Sequence, residues 1–467
     1  MTKQRDPVEE FHPAGVAELD LYQKREKIYT RKIEGFYQKI RVYTGWPLLL
    51  LYFIVPWLTW NGHPAVLFDL PARQFHVFFW TFWPQDFYLL AGILIIAAFA
   101  LFTVTAWVGR VWCGYTCPQT VWTAIFMWAE QKFEGSRNQR IKLDNKPMHW
   151  QKFFRKLAKH TVWVSVSLAT GVTFVGYFTP IYDLVFLLDY GLWGSMWITF
   201  FTCATYINAG YMREQVCIYM CPYARFQSVM FDKDTLLVSY DTKRGEPRGS
   251  RKKDTNLEQE NLGACVDCNI CVQVCPTGID IRDGLQVECI NCALCIDGCN
   301  SVMDQMGYER GLIRYTTEHE LEGYKGNRYH PRFIAYGVVL LIMLTAFGYS
   351  LLTRIPLEAD VVRERGKLYQ RTPTGHIENM YVLKIMNKDQ QPHTYSISFS
   401  GLDQAELKGD TEKTLGAGEI LELPVRLNIA PEQLQRLNST IYYHIRSLDD
   451  PDIHMSIESR FIGPGTP

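Results

Sequence analysis

The chain has 467 residues, 14% of them aromatic, with 48 Lys and Arg balancing 48 Asp and Glu. Zero net charge leaves no basic footprint for nucleic acid, and the length exceeds a single domain. Mean hydropathy is near zero, but long apolar windows alternate with charged segments, the pattern of a membrane protein with sizeable polar parts.

Residues 1–43 form the expected N-terminal segment, and the first 40 are polar and charged, so no cleavable signal peptide is expected. Five windows approach the roughly 20 apolar residues of a spanning helix: 44–61, 86–108, 158–180, 190–211 and 333–353. The first carries Pro47 and Pro56 and is bounded by tryptophans, as at interface belts. The aromatic run Phe75 to Trp83 is too short to span and reads as interfacial. Residues 1–44 carry nine Lys/Arg, 61–85 one, 109–157 nine and 181–189 none. That asymmetry predicts that the N-terminus, the 109–157 loop and the charged stretch 212–332 are cytoplasmic. Five spans then leave residues 354–467 outside, in the periplasm of a Gram-negative cell.

The segment 44–240 is expected to be a four-span core made of two hairpins in parallel repeat, whose pseudo-twofold axis along the membrane normal would bring their ends together. Each hairpin ends in C-x3-C-P on the cytoplasmic side: Cys113, Cys117, Pro118 and Cys217, Cys221, Pro222. On a helix, residues four apart share a face, so each pair could address one atom. The prolines fit a chain break after the second thiol or the first turn of a new helix. Soft thiolates select Cu(I), zinc or an iron–sulfur centre. Thiols so placed could also cycle between dithiol and disulfide, or pack as small hydrophobes. Cys203, inside the fourth window, reads as packing. Only His160 lies within a window, so a transmembrane bis-histidine haem is not expected.

Residues 241–261 are polar and rich in turn-formers, and read as a linker. Then come eight of the thirteen cysteines in 35 residues. The runs Cys265, Cys268, Cys271, Cys275 and Cys289, Cys292, Cys295, Cys299 both have the spacing C-x2-C-x2-C-x3-C, by which bacterial ferredoxins hold 4Fe–4S clusters. In two-cluster ferredoxins the fourth cysteine serves the other cluster. One cluster would then take Cys265, Cys268, Cys271 and Cys299, the other Cys289, Cys292, Cys295 and Cys275. The second run is followed by Asn300 where the first has Pro276, which touches the turn and not the ligand. A ferredoxin-like domain over 262–332 and a fifth span over 333–353 are expected. The tail 354–467 alternates with period two at Tyr381, Leu383, Ile385, at Leu421 to Ile429, and at Ile441, Tyr443, Ile445. That pattern predicts a β-sandwich of immunoglobulin type.

The stretches CGYTCPQTVW, CIYMCPYARFQSVM and GACVDCNICVQVCPTGIDIRDGLQVECINCALCIDGCN, in this order with the fifth span and the tail, resemble the CcoG family, also called FixG or RdxA. Related membrane ferredoxins of nitrate and nitrous-oxide reductase systems share the membrane core but generally lack the tail. The resemblance implies a role in assembling the cbb-type haem–copper oxidase and a cupric reductase activity, Cu(II) to Cu(I). It implies two 4Fe–4S clusters as cofactors and copper as substrate or transient ligand. Cys113, Cys117, Cys217 and Cys221 become the candidate copper-reduction or relay site. It further implies an inner-membrane location and partners among oxidase assembly factors, copper chaperones and a Cu(I)-exporting ATPase. The electron donor is unassigned. The competing expectations are a quinol-linked conduit to a partner enzyme and an assembly scaffold.

Overall fold

The computed structural model describes residues 27–60, 62–253, 260–327, 329–364, 366–389, 391–434 and 437–464. Part of the expected N-terminal segment and of the expected linker therefore lies outside the described residues. Helix α1 (Phe36–Ile54) runs into a 3-10 turn at Val55–Trp57. The aromatic loop after it is not helical. It folds as β1 (Thr59–Trp60) paired with β2 (His63–Pro64), then the meander β3 (Val66–Asp69), β4 (Gln74–Val77) and β5 (Trp80–Phe82). Helices α2 (Phe87–Val108), α3 (Val111–Tyr115), α4 (Pro118–Phe133), α5 (Arg137–Asn145) and α6 (Trp150–Val175) follow. Helix α7 (Gly191–Thr205) continues as a π-helix over Tyr206–Met212, and a second π turn, Val216–Met220, precedes α8 (Pro222–Met230).

Among the described residues, three helical stretches are long and apolar enough to cross a membrane: Phe36–Trp57, Pro84–Val108 and Pro331–Leu352. The last buries none of its residues within the chain. It leans on α2 through Phe333 against Trp107 but leaves Leu341, Ile342 and Leu344 exposed, and an apolar face of that size needs a non-aqueous neighbour. The windows 158–180 and 190–211 fall on α6 and on α7 with its π extension. Lys152, Arg155, Lys156 and Lys159 occupy the first part of α6, and α7 has 15 residues. Neither stands with the other three by length and apolarity. Cys203 is exposed on α7, so the expectation that it packs inside this chain is corrected.

Strand β6 (Leu237–Tyr240) pairs antiparallel with β7 (Ile313–Thr316), bracketing the helices Ile270–Val274 and Leu294–Met306. The stretch expected as a linker is a strap over its described part. The amide of Ala264 donates to the carbonyl of Arg244 at 2.8 Å, and Arg251 donates to the carbonyl of Gly263 at 2.6 Å. Its polar residues bond to the first cysteine run, which is why its composition mimics a hinge. Helix α1 docks onto this domain through its N-terminus. Asp297, on the helix Leu294–Met306, accepts from the amides of Tyr37 (3.3 Å) and Gln38 (2.8 Å), supplying the partners that a helix start lacks.

The tail is a two-sheet sandwich. Strands β8 (Leu357–Arg363), β9 (Gln370–Arg371), β10 (Ile377–Asn387), β11 (His393–Ser400), β12 (Glu406–Lys408), β13 (Glu412–Leu415), β14 (Ile420–Ile429), β15 (Asn438–Ser447) and β16 (His454–Ile462) form it. One sheet has the order β12-β14-β10-β8, with β9 beside β10, and the other β13-β11-β15-β16. Tyr381 faces Val425 and Leu383 faces Leu423 across the first sheet. Leu383, Ile385, Tyr395, Ile441, Tyr443 and Ile445 are fully buried between the sheets, so the period-two runs are the core. The sandwich is fastened to the aromatic loop at buried Asp86, whose carboxylate meets Lys388 at 3.0 Å and Arg354 at 2.5 Å.

Candidate functional site: two cysteine runs and a four-thiol junction

The backbone explains how the runs curve. In the first, Asp267 and Asn269 have positive φ; in the second, Asn291 and Ala293 do, at the same two positions relative to the cysteines. Left-handed residues spaced in this way turn successive N–H groups to one side, a concavity suited to anionic sulfur. Arg282 fixes the first loop, donating to Asp267 at 2.6 Å and also to Asp280 and Asn269. Two small enclosed cavities result. Cys265, Cys268, Cys271 and Cys299 rim one. Cys275, Cys289, Cys292 and Cys295, with Cys271 at the edge, rim the other. Among the described residues, no three His, Cys, Asp or Glu side chains close on one point as a single ion requires. Thiols spread around a cavity fit a polynuclear cluster better than a lone zinc.

The four cysteines of the C-x3-C-P motifs are built differently. Cys113 lies in α3, and Cys117 is the residue before α4, with Pro118 at its first position. Cys217 lies in the π turn, and Cys221 precedes α8, with Pro222 first. The expectation that each pair shares one helical face is corrected: the chain breaks between the two thiols of each pair. The proline, needing no N–H at a helix start, begins the next helix.

The two motifs nevertheless converge. Burial pushes the Cys113 thiol up to about 12; Cys117, Cys217 and Cys221 add to this, while Arg110 opposes it. Burial likewise raises Cys217 to about 11, with Cys117 and Cys221 contributing. Thiols that perturb one another electrostatically share one junction. The neighbouring contacts are reciprocal. The Cys113 thiol donates to buried Gln227 of α8 at 3.4 Å. Gln119, just after the first motif, donates to the carbonyls of Asn208 (2.9 Å) and Arg213 (3.2 Å) before the second.

The junction abuts the second cysteine run. A Cβ at Gly114 would lie 2.7 Å from the Ile290 carbonyl oxygen and 2.9 Å from the Cys292 Cα. Cys113 packs in one apolar group with Ile290, Cys292 and Cys295. Arg110, itself buried, donates to the carbonyls of Val287 and Ala224 and so ties the run to α8. A small crevice joins Cys217 to Pro276 and Thr277, beside Cys275.

Known proteins place this arrangement. Residues 212–318 match a family described as a 4Fe-4S dicluster domain, 89–135 match a 4Fe-4S binding domain, and 347–464 match the IG-like fold at the C-terminus of FixG. The nitrogen fixation protein FixG of Rhizobium meliloti is 38% identical over 431 residues, covering 83% of this chain and 82% of that one. Protein RdxB of Cereibacter sphaeroides is 41% identical over 395 residues, covering 81% and 83%. Protein RdxA of the same organism is 37% identical over 429 residues, covering 87% and 88%. The chain belongs to the FixG/RdxA family. The two 4Fe–4S families that it matches make it an iron–sulfur protein, and one of the C-x3-C-P motifs falls within each matched segment.

A charged cluster in this FixG-family chain lies beside the junction and escaped the sequence reading. Buried Glu130 of α4 bonds Arg140 at 2.9 Å and Arg213 at 2.6 Å. Glu134, one turn on, meets Lys156 and Lys159, each at 3.0 Å. Burial disfavours the Glu130 carboxylate, but Arg213 and Arg140 outweigh it and hold the group below the usual range. Arg213 leads directly into Glu214 and the Cys217 turn. A signal existed: two carboxylates lie in a helix otherwise reading as apolar, WTAIFMWAEQKFE, where an unpaired charge would be costly.

Proposed function

We propose that this protein is a membrane-bound one-electron reductase that converts Cu(II) to Cu(I), with the four-thiol junction as the place where copper is held. The eight ferredoxin-type cysteines are assigned to two 4Fe–4S clusters in the crossed sets above, and those centres supply electrons singly. The observation that carries the reading is the abutment of Gly114 on Ile290 and Cys292. It brings the Cys113 turn into contact with a cluster-binding loop, without an intervening layer.

The chain's own residues have definite parts. Cys113, Cys117, Cys217 and Cys221 are soft donors that favour Cu(I) over Cu(II). A donor set with that preference raises the reduction potential of the copper it holds, so the groups that bind the ion also favour its reduction. Each Cu(II) takes one electron and leaves as Cu(I). Gln227 orients the Cys113 thiol, and Arg110 holds the Val287–Cys289 stretch against the junction. The Glu130 cluster anchors Arg213 immediately before the Cys217 turn.

The wider reading is an inner-membrane protein with five spans, its cysteine regions cytoplasmic and its sandwich periplasmic. It hands Cu(I) to chaperones, a Cu(I)-exporting ATPase and oxidase assembly factors. Reporters fused after residues 310 and 400 test the topology and are expected to differ. The decisive assay follows the visible absorbance of dithionite-reduced, desalted protein after Cu(II) is added without oxygen, with a chelator control for released iron. Wild type is expected to reoxidise, and the variant with all four junction cysteines changed to alanine is not. Undiminished reoxidation in that variant removes the junction from the reaction.

A further inference from the structure

The groove between α1, α4 and α6 has a volume of about 630 Å³ and is open along one side. Its walls are apolar: Trp46, Leu50 and Phe53 from α1, Ala124 and Trp128 from α4. Leu50 and Trp128 are themselves exposed at its rim, along a helix apolar enough to cross a membrane. An opening rimmed by such side chains is suited to the acyl chains of a bilayer. One end differs. Gln38, Arg41 and Thr120 close it, together with the backbone of Gly114. Arg41 Nε donates to the Gly114 carbonyl at 3.0 Å, and Thr120 Oγ1 donates to the Cys113 carbonyl at 2.5 Å. Gly114 is the residue that touches Ile290 and Cys292.

We propose that this groove binds a membrane quinol, the electron donor of the protein. The inference rests on the electron-transfer reading of the cysteine regions but not on copper. Arg41 to Phe53 is twelve residues of helix, about 18 Å, enough for a ring at the polar end and the first stretch of a polyprenyl tail along the walls. The polar end offers mainly neutral hydrogen-bonding groups and one guanidinium already engaged with a carbonyl. That suits the two oxygens of a quinone ring better than the phosphate of a lipid. The wall of that end is shared with the second cysteine run, so a ring seated there stands against the redox region. Oxidation of a quinol to the quinone releases two electrons and two protons. The electrons pass singly to the iron–sulfur region, and the protons leave to water beside Gln38 and Arg41, at the start of α1.

The test uses full-length, cluster-loaded protein purified without oxygen and returned to lipid nanodiscs. A photoreactive short-tail quinone is cross-linked and mapped by mass spectrometry. Labels are expected within 38–53 and 120–128, blocked by a long-chain quinone and not by added phosphatidylglycerol. Ala124→Trp, which fills the apolar wall, is expected to lower labelling about tenfold or more, a loss of at least about 1.4 kcal/mol of binding. Its iron content serves as the folding control. Gln38→Leu, altering only the polar end, is the milder second variant and is expected to weaken labelling in the same direction. Labels confined to other helices, or equal displacement by phosphatidylglycerol, overturn the proposal and make the groove a lipid seat. Copper-driven reoxidation of dithionite-reduced wild type is scored separately. Its loss with labelling intact sinks the copper reading alone, and the reverse result sinks only the quinol.

Discussion

The eight-cysteine region and the four-thiol junction use the same side chain and are assembled by opposite means. In the first, the ligand set is local. Two runs of identical spacing bend at equivalent left-handed residues, Asp267 and Asn269 in one, Asn291 and Ala293 in the other, and the fourth cysteine of each run lines the cavity of the other. In the second, the partners lie about a hundred residues apart and meet because α3, α4, the π turn and α8 pack together. Spacing can specify the first kind of site. The second depends on what holds the helices, and its properties should respond to residues far from any thiol.

The sharpest division is in metal content. Two cubane clusters require about eight iron and eight acid-labile sulfides per chain. Cys268→Ser or Cys292→Ser is expected to remove about half of the iron, one cluster of two. Replacing Cys113 and Cys117 by alanine is expected to leave it intact. Iron and sulfide analysis after anaerobic purification decides this. Loss of iron from the junction variant would break the comparison, by making the junction an iron–sulfur site too.

How much of this could be read from the sequence follows the same division. The cluster runs were readable because C-x2-C-x2-C-x3-C constrains a few bonds of backbone at a time. The sandwich was readable because Tyr381, Leu383 and Ile385 must face one way in a strand, and they do. The convergence of the two C-x3-C-P motifs was readable from their equivalent positions. Their internal geometry was not. Four residues apart suggested one helical face, but Pro118 and Pro222 begin new helices, so the second thiol of each pair sits at the start of a different helix from the first. The strap at 241–251 looked like a hinge because polar residues that bond to a neighbouring loop have the composition of polar residues in water. Glu130 was missed because its partners, Arg140 and Arg213, lie 10 and 83 residues away.

The second prediction tests that dependence on remote packing. Glu130→Gln leaves two buried guanidinium groups short of a counter-charge, and breaking a buried pair in this way costs about 3–5 kcal/mol. The expected signature is selective. Cys217 and Cys221 become more reactive to an alkylating reagent, measured by mass spectrometry, while iron content stays near wild type. Equal disturbance of both regions would mean that the two form one cooperative unit.

A smaller effect is expected at the contact between the regions. In Gly114→Ala the new methyl meets backbone of Ile290 and Cys292, not a side chain that can swing away. Overpacking of this kind costs about 1–3 kcal/mol, relieved here by parting the two loops. Iron content and junction alkylation are expected to remain unchanged while copper-dependent reoxidation slows. An unaltered rate would show that the contact is structural only.

The smallest effect is expected at the other end of α2 from the thiol junction. Asp86 joins the aromatic loop to the sandwich through Arg354 and Lys388, and it also accepts from the Trp83 amide at 3.1 Å. Asp86→Asn keeps the shape and some hydrogen bonds but removes the charge, and hydrogen bonds to charged groups contribute about 1.5–3 kcal/mol. The sandwich has its own buried core, so it should remain folded while its attachment loosens. Limited proteolysis is expected to cut faster between the last apolar helix and β8, around residues 353–356. Iron content and copper-dependent reoxidation should not change, because neither cysteine region touches this latch. If reoxidation fell along with the attachment, the sandwich would be coupled to the thiol junction through α2, whose two ends adjoin Asp86 and Arg110. The contrast between a locally specified and a remotely held site would then have to include the sandwich among the elements that hold the junction.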